Sequence, residues 1–222
     1  MIELFDLTKN FGTTLAVNHL TLRVKPGEIY GFIGPNGAGK TTTIRMMGGI
    51  LEPTSGTIII AGVDMKKDPV QAKKIIGFIP DRPFLYEKLT AMEFMTFISD
   101  LYQVDSGTMP GRAYELLRQF ALQDWADEMI EAFSHGMKQR LIIASALLHN
   151  PKILVIDEPM VGLDPTAVRM VKDILKGLSA QNVTIFVSTH TLSIAEDLCD
   201  RIGVIHKGTL LAQGTMEELN QA

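Results

Sequence analysis

With 222 residues, 46 % of them hydrophobic and 21 % charged, the chain can bury one large core, or a core domain with one substantial insert. A formal net charge of −4 gives no support to nucleic-acid binding, and the longest apolar stretches, such as Leu141 to Leu148, are far too short to span a bilayer. The single cysteine, Cys199, excludes an internal disulfide and suits a reducing compartment, and Met1-Ile2-Glu3-Leu4 lacks the basic start and apolar run of a signal peptide.

The first 26 residues read as antiparallel strand material: Ile2-Glu3-Leu4-Phe5 and Leu20–Val24 alternate, with a turn around Asn10-Phe11-Gly12 between them. Phe11 lies about twenty residues ahead of a glycine-rich loop. An aromatic there either stacks on a purine ring, for about 1–3 kcal/mol by analogy with base stacking, or packs the small sheet. The spacing leaves both open.

Glu28–Ile33 is rich in strand formers, and Gly34-Pro35-Asn36-Gly37-Ala38-Gly39-Lys40-Thr41 follows it. This run fits G-x-x-x-x-G-K-[ST] at every fixed position, with a helix expected from Thr41 to about Met47, where Gly48-Gly49 stops it. The glycines let successive N–H groups point inward as an anion nest, and the helix start adds its positive dipole end. Lys40 would reach the outer phosphates of a nucleotide, and the Thr41 hydroxyl would hold magnesium. By average residue usage such a pattern arises by chance in about one chain in a hundred of this size.

Thr57–Gly62 and Lys73–Asp81 read as further strands, the second with Asp81 just beyond Pro80. From Leu89 to about His149 apolar residues recur at helical spacing with no convincing strand, which predicts an inserted helical subdomain of about 55–65 residues bounded by Pro83 and Pro151. The α/β pattern then returns. Ile153–Ile156 is a continuous apolar run of the kind found in a strand buried on both faces, and it ends in Asp157-Glu158. A helix over about Thr166–Leu178, a strand Thr184–Ser188 ending near His190, a helix around Ser193–Cys199, and a last pair of strands, Arg201–His206 and Thr209–Gln213, complete the chain.

Strands alternating with helices predict a mainly parallel sheet, whose ligands collect beyond the carboxyl ends of the strands. Gly34, Asp81, Asp157, Glu158 and His190 each sit just past a predicted strand, so they are expected to share one site. Asp157 has the form of a carboxylate delivered to a magnesium shell by a buried strand, and Glu158 is placed to polarise an attacking water. His190 has the position to hydrogen-bond a terminal phosphate, although a lone histidine of this kind is more often structural. Ser188 with His190 lacks the G-x-S-x-G elbow of a hydrolase triad. Ser134 is a natural N-cap for the apolar helix that follows, and Gly136 permits close backbone approach. That helix start is either an ordinary cap or an anion site serving a second molecule.

Across nearly all its length the chain resembles the ATP-binding subunit of an ABC transporter. The resemblance is carried by the Walker A loop Gly34–Thr41, the signature-like Ser134-His135-Gly136-Met137-Lys138-Gln139-Arg140, the Walker B run ending Ile156-Asp157-Glu158, the Gly162-Leu163-Asp164-Pro165 turn and His190, all in the family's order. It implies a P-loop α/β core with an N-terminal antiparallel β subdomain (1–84 and 151–222) and a helical subdomain (85–150), forming a single ATPase domain. It also implies a head-to-tail pair, a homodimer or a pairing with a similar cassette, that traps two ATP molecules. Each ATP would lie between residues 34–42 of one chain, Thr42 included, and Ser134 and Gly136 of the other, with Asp164 linking the sites. Phe11 takes the adenine-stacking position, Glu158, His190 and Lys40 the catalytic roles, and Thr41, Asp81 and Asp157 the Mg2+ shell. The partner is an integral membrane transporter subunit reached from the cytoplasmic face, with export favoured and nucleic acid not expected. Phe84-Leu85-Tyr86 either docks that subunit or packs the insert.

Three positions depart from the family pattern. Asp81 stands for the usual glutamine, His135 for the first glycine of the signature pair, and Met137 for its glutamine. The Ser134 hydroxyl and the Gly136 backbone remain, so hydrolysis is expected to survive. A soluble ABC-type ATPase acting on nucleic acid or ribosomes is the alternative. It is disfavoured by the acidic charge and by the lack of a long coiled-coil insert or a second cassette.

Overall fold

A computed structural model describes residues 1–81 and 84–221. The chain begins with an antiparallel hairpin, β1 (Ile2–Phe11) and β2 (Thr14–Val24), followed by β3 (Ile29–Ile33) and helix α1 (Lys40–Met47). Then come β4 (Ser55–Ile60), β5 (Val63–Asp64), α2 (Pro69–Lys74) and β6 (Ile76–Ile79). Three α-helices follow among the described residues, α3 (Ala91–Tyr102), α4 (Met109–Gln119) and α5 (His135–Ala146), with two short 3-10 turns, Gln123–Trp125 and Ile130–Ala132, before α5. The chain closes through β7 (Ile153–Asp157), α6 (Pro165–Ala180), β8 (Thr184–Thr189), α7 (Leu192–Leu198), β9 (Arg201–His206), β10 (Thr209–Gly214) and α8 (Met216–Asn220).

Two compact units result, one of Met1–Asp81, Lys152–Pro159 and Leu175–Ala222, the other of Arg82–Pro151 and Met160–Ile174. The first holds both sheets. One is antiparallel in the order β2-β1-β4-β5, and the other runs β10-β9-β3-β8-β7-β6 with every pair parallel except β10 against β9. Strands β3, β7 and β8 are buried at every residue, as their unbroken apolar character requires of central parallel strands. Tyr30 and Phe186 stack at 5.7 Å in the main core, with Met46, Met47, Ile58 and Ile60 fully or almost fully buried in the same cluster. Cys199 packs on the smaller cluster of Ile33, Ala195 and Ile202, and burial pushes its thiol up to about 12.

Register positions the site. Ile33 pairs with Thr189, Asp157 with Ser188, and Ile79 with Ile156, so the carboxyl ends of four parallel strands come level. The residues that leave them therefore emerge at one edge. One expected strand begins later than its sequence implies. Lys73 and Lys74 close helix α2, whose start is capped by Asp68 (Oδ1 accepts from Gln71 N–H at 3.1 Å) and primed by Pro69. That Asp-Pro pair outweighs the apolar run behind it, and the strand starts only at Ile76.

The second unit is helical. Among its described residues the only strand-like pairing is an isolated bridge between Thr90 and Met129, while the expected limit at Pro83 lies outside the described residues. Helix α3 starts from a complete capping box of Thr90 and Glu93. Helices α4 and α5 cap one another's carboxyl ends. Arg112 of α4 donates to the carbonyls of Leu147 and Leu148 at 2.6 Å each, and Arg140 of α5 donates to the Phe120 carbonyl at 2.7 Å. Burial draws both guanidinium groups below their usual pKa.

Candidate functional site

The loop after β3 is shaped by what its glycines allow. Gly39 is the N-cap of α1 at φ 109, in the left-handed region, and a Cβ there would stand 2.6 Å from the Ala16 carbonyl oxygen. No side chain caps α1, so its first N–H groups are left for a ligand. The loop is braced from within, where Ala38 N–H donates to Pro35 C=O at 3.1 Å, and from outside, where Gly208 N–H donates to Ala38 C=O at 2.8 Å.

Lys40 is 6 % exposed. Its ammonium donates to the carbonyls of Gly34 at 2.7 Å and Pro35 at 3.2 Å, and Glu158 Oε1 lies 4.0 Å away. A buried cation resting mainly on neutral carbonyls holds positive potential that an anion can use. Glu158 has φ 51, a left-handed conformation that costs a non-glycine residue about 1–2 kcal/mol. Its N–H donates to Ser188 C=O at 3.2 Å, and its Oε1 meets His190 Nδ1 at 2.9 Å. Asp157, 1 % exposed, accepts from the Ser188 hydroxyl, which is the role that serine takes instead of a nucleophile's.

A cavity of about 390 Å³ opens over these groups, lined by Asn36, Gly37, Gly39, Lys40, Thr41, Thr42, Asp81 and Glu158. The structure thus brings together the loop residues, Asp81 and Glu158 around one space, with His190 joined through Glu158 and Asp157 buried beside it. Phe11 is apart from that lining; it is 48 % exposed at the end of β1, with the Lys9 ammonium 5.1 Å from its ring centroid. Ser134, Gly136 and Asp164 belong to the second unit. There Ser134 Oγ accepts from Met137 N–H at 3.3 Å, so it does cap α5.

Sequence reasoning missed two contributors. Thr14, Leu15 and Ala16 at the start of β2 line the cavity, and so does Lys207 in the β9–β10 turn. Lys207-Gly208 falls between the last two expected strands, and the bonds from Asn18 N–H to Gly208 C=O and from Gly208 N–H to Ala38 C=O, both 2.8 Å, have no counterpart in the sequence pattern.

The ABC transporter family model matches residues 17–161, more than half of the chain. A bacitracin transport ATP-binding protein from Bacillus licheniformis is 41 % identical over 222 residues, covering 100 % of this chain and 72 % of the relative. A linearmycin resistance ATP-binding protein from Bacillus subtilis is 38 % identical, covering 99 % and 70 %. Among solved structures, an ATP-binding subunit of an ABC transporter matches with a TM-score of 0.93 at 34 % identity, over 100 % of this chain and 92 % of that one. A dimeric ATP-binding cassette in a post-hydrolysis state with ADP and phosphate matches at 0.88 and 28 %, over 97 % and 99 %.

Fold and loop together define a P-loop nucleotide-binding ATPase with a helical second unit. The chain belongs to the ABC transporter family, as its ATP-binding, ATP-hydrolysing subunit. Cassettes of this family bind ATP and dimerise, and among the described residues no helix is long and apolar enough to cross a membrane.

Proposed function

We propose that two copies of this chain, or this chain and a similar cassette, close head to tail on two ATP molecules, and that hydrolysis reopens them to drive export through a separate membrane subunit. The observation that carries this reading is Glu158, held at φ 51 between His190 at 2.9 Å and Lys40 at 4.0 Å on the wall of the loop cavity. A strained acid beside a buried cation, at the edge where phosphates would lie, has the placement of a base for an attacking water.

On this reading Lys40 exchanges the carbonyls of Gly34 and Pro35 for the outer phosphate oxygens, while the N–H groups of Asn36, Gly37, Gly39, Lys40, Thr41 and Thr42 cradle the chain of phosphates; Pro35 has none to give, and Ala38 N–H is held by Pro35 C=O. Glu158 orients the water, and His190, engaged through Nδ1, has its second ring nitrogen left for the terminal phosphate. Thr41, Asp81 and Asp157 are the proposed magnesium ligands. Thr41 and Asp81 fit, since both line the same cavity and Mg2+ takes one or two protein carboxylates and otherwise keeps water and phosphate oxygens, whereas Asp157, buried and accepting from Ser188, is outside that lining and would act through a retained water. Magnesium held there would neutralise charge developing on the phosphates. Phe11 stacks on adenine, and Ser134, Gly136 and Asp164 act across the dimer. As a functional division we propose an α/β core (1–84 and 151–222) and a helical subdomain (85–150), although Met160–Ile174 groups with the helical unit by contacts.

Replacement of Glu158 by Gln is expected to lower turnover by at least about a hundredfold, the usual scale for losing a general base, while ATP traps a dimer visible by gel filtration. Unchanged turnover removes Glu158 from its role.

The transport and resistance names of the relatives support export, and on this reading the protein works at the inner face of the membrane through its partner. Phe84, 82 % exposed, meets Tyr86 edge to face at 5.8 Å, and Tyr86 meets Phe97 at 5.1 Å. This aromatic row is the proposed docking surface. Phe84→Asp with Tyr86→Asp should abolish co-purification with the membrane subunit at unchanged far-UV circular dichroism; intact assembly sinks the assignment.

A further inference from the structure

His135 takes no part in the nucleotide chemistry above, yet it joins two segments assigned to the dimer face. Its neighbours Ser134 and Gly136 are the proposed phosphate cap. Its imidazole packs against Gly162, in the turn that leads to Asp164. A Cβ added to Gly162 would overlap His135 Cδ2 and fall 2.6 Å from its Nε2. One residue on, a Cβ at Gly136 would stand 3.3 Å from the Gly162 carbonyl oxygen and 3.7 Å from Leu163 Cδ2. The turn is itself braced, with Leu163 N–H on Met160 C=O at 3.3 Å and Asp164 Oδ1 accepting from Ala167 N–H at 2.9 Å. Arg140, drawn down by burial, is pulled partly back by the Asp164 carboxylate, and its Nε donates to the Gly136 carbonyl at 3.4 Å.

We propose that His135 is a positioning residue whose ring fixes the Gly162–Asp164 turn to the first turn of α5 as one block. The segment that reads one nucleotide and the turn that reports to the other site then move together. The proposal rests on the head-to-tail reading. Its physical basis is packing. Gly162 sits at φ 78, a left-handed conformation that suits glycine, and the exposed His135 ring packs on it; a second glycine at position 135 would leave that contact unmade and open Gly162 further to water. Close-packed contacts switch between discrete arrangements, so a filled contact passes a small displacement of Ser134 on to Asp164, and an empty one does not. The role is steric and needs no proton, so a leucine of similar bulk should perform it.

The test measures ATPase velocity of the purified chain against ATP concentration. The wild type is expected to show a Hill coefficient above 1, and His135→Gly a coefficient near 1 with KM raised about fivefold or more at nearly unchanged kcat. His135→Leu should restore the coefficient and keep the wild-type pH profile. Gly162→Ala, strained at φ 78 and crowded by the ring, should lose cooperativity, and its combination with His135→Gly, which relieves the crowding but not the strain, should recover part of it, more than additivity allows. Cooperativity retained in His135→Gly, a His135→Leu that behaves like His135→Gly, or a wild-type coefficient of 1 overturns the proposal. Gel filtration of Glu158→Gln with ATP separates the two failures: a monomer sinks the head-to-tail reading and this inference with it, whereas a dimer confines the failure to His135.

Discussion

Two helices of this protein begin at proposed phosphate sites, and they begin differently. Helix α1 has no side-chain cap; Gly39 sets its entry, its first turn is largely buried, and a cavity opens on the groups around it. Helix α5 has its own cap in Ser134, an exposed first residue in His135, and no place in that cavity's lining. An uncapped start has donors to spare and is built to hold an anion by itself. A capped start is already partly satisfied and has reason to meet a phosphate only when one is brought to it. The difference is what half-sites look like: one that binds, and one that completes.

The largest effect should come from the binding half. Charge-assisted hydrogen bonds are worth about 1.5–3 kcal/mol each, and Lys40 already makes two in place of the phosphate contacts it would take up. Lys40→Ala is therefore expected to weaken ATP binding to the isolated chain by more than about a hundredfold, read by titration with a fluorescent ATP analogue. A smaller loss would mean that the backbone nest alone carries affinity, and the contrast between the two helix starts would lose its binding half.

That contrast was only partly legible in the sequence. The loop was, because every requirement of the phosphate cradle falls within residues 34–41 and is met by residue types that nothing else demands together. The strand-end acids were too, because a buried parallel strand such as Ile153–Asp157 announces itself by an unbroken apolar run. Lys207 and Thr14–Ala16 were not. They reach the cavity through backbone bonds between turns far apart in the chain, and backbone bonds leave no mark on residue choice. Helix α2 was hidden by the apolar strand behind it, although Asp68-Pro69 carried its start signal. The sequence marks His135 as a departure and Gly162 as part of a turn, but nothing in either residue type announces that the two meet.

A smaller effect tests the completing half, where a cap and a catalytic contact reside in one hydroxyl. Ser134→Ala removes the acceptor for Met137 N–H and should cost about 1 kcal/mol of stability, a fall in Tm of about 2–4 °C. If the hydroxyl also meets a neighbour's phosphate, turnover falls by about tenfold or more while ATP affinity of the isolated chain stays put, since one hydrogen bond is then missing only in the closed pair. Stability and turnover can be separated. Ser134→Asp restores a good N-cap and with it the Tm, but it turns a carboxylate toward the phosphate, so turnover should fall further than in Ser134→Ala. Recovery of both together would make Ser134 a cap and nothing more, and α5 an ordinary helix start.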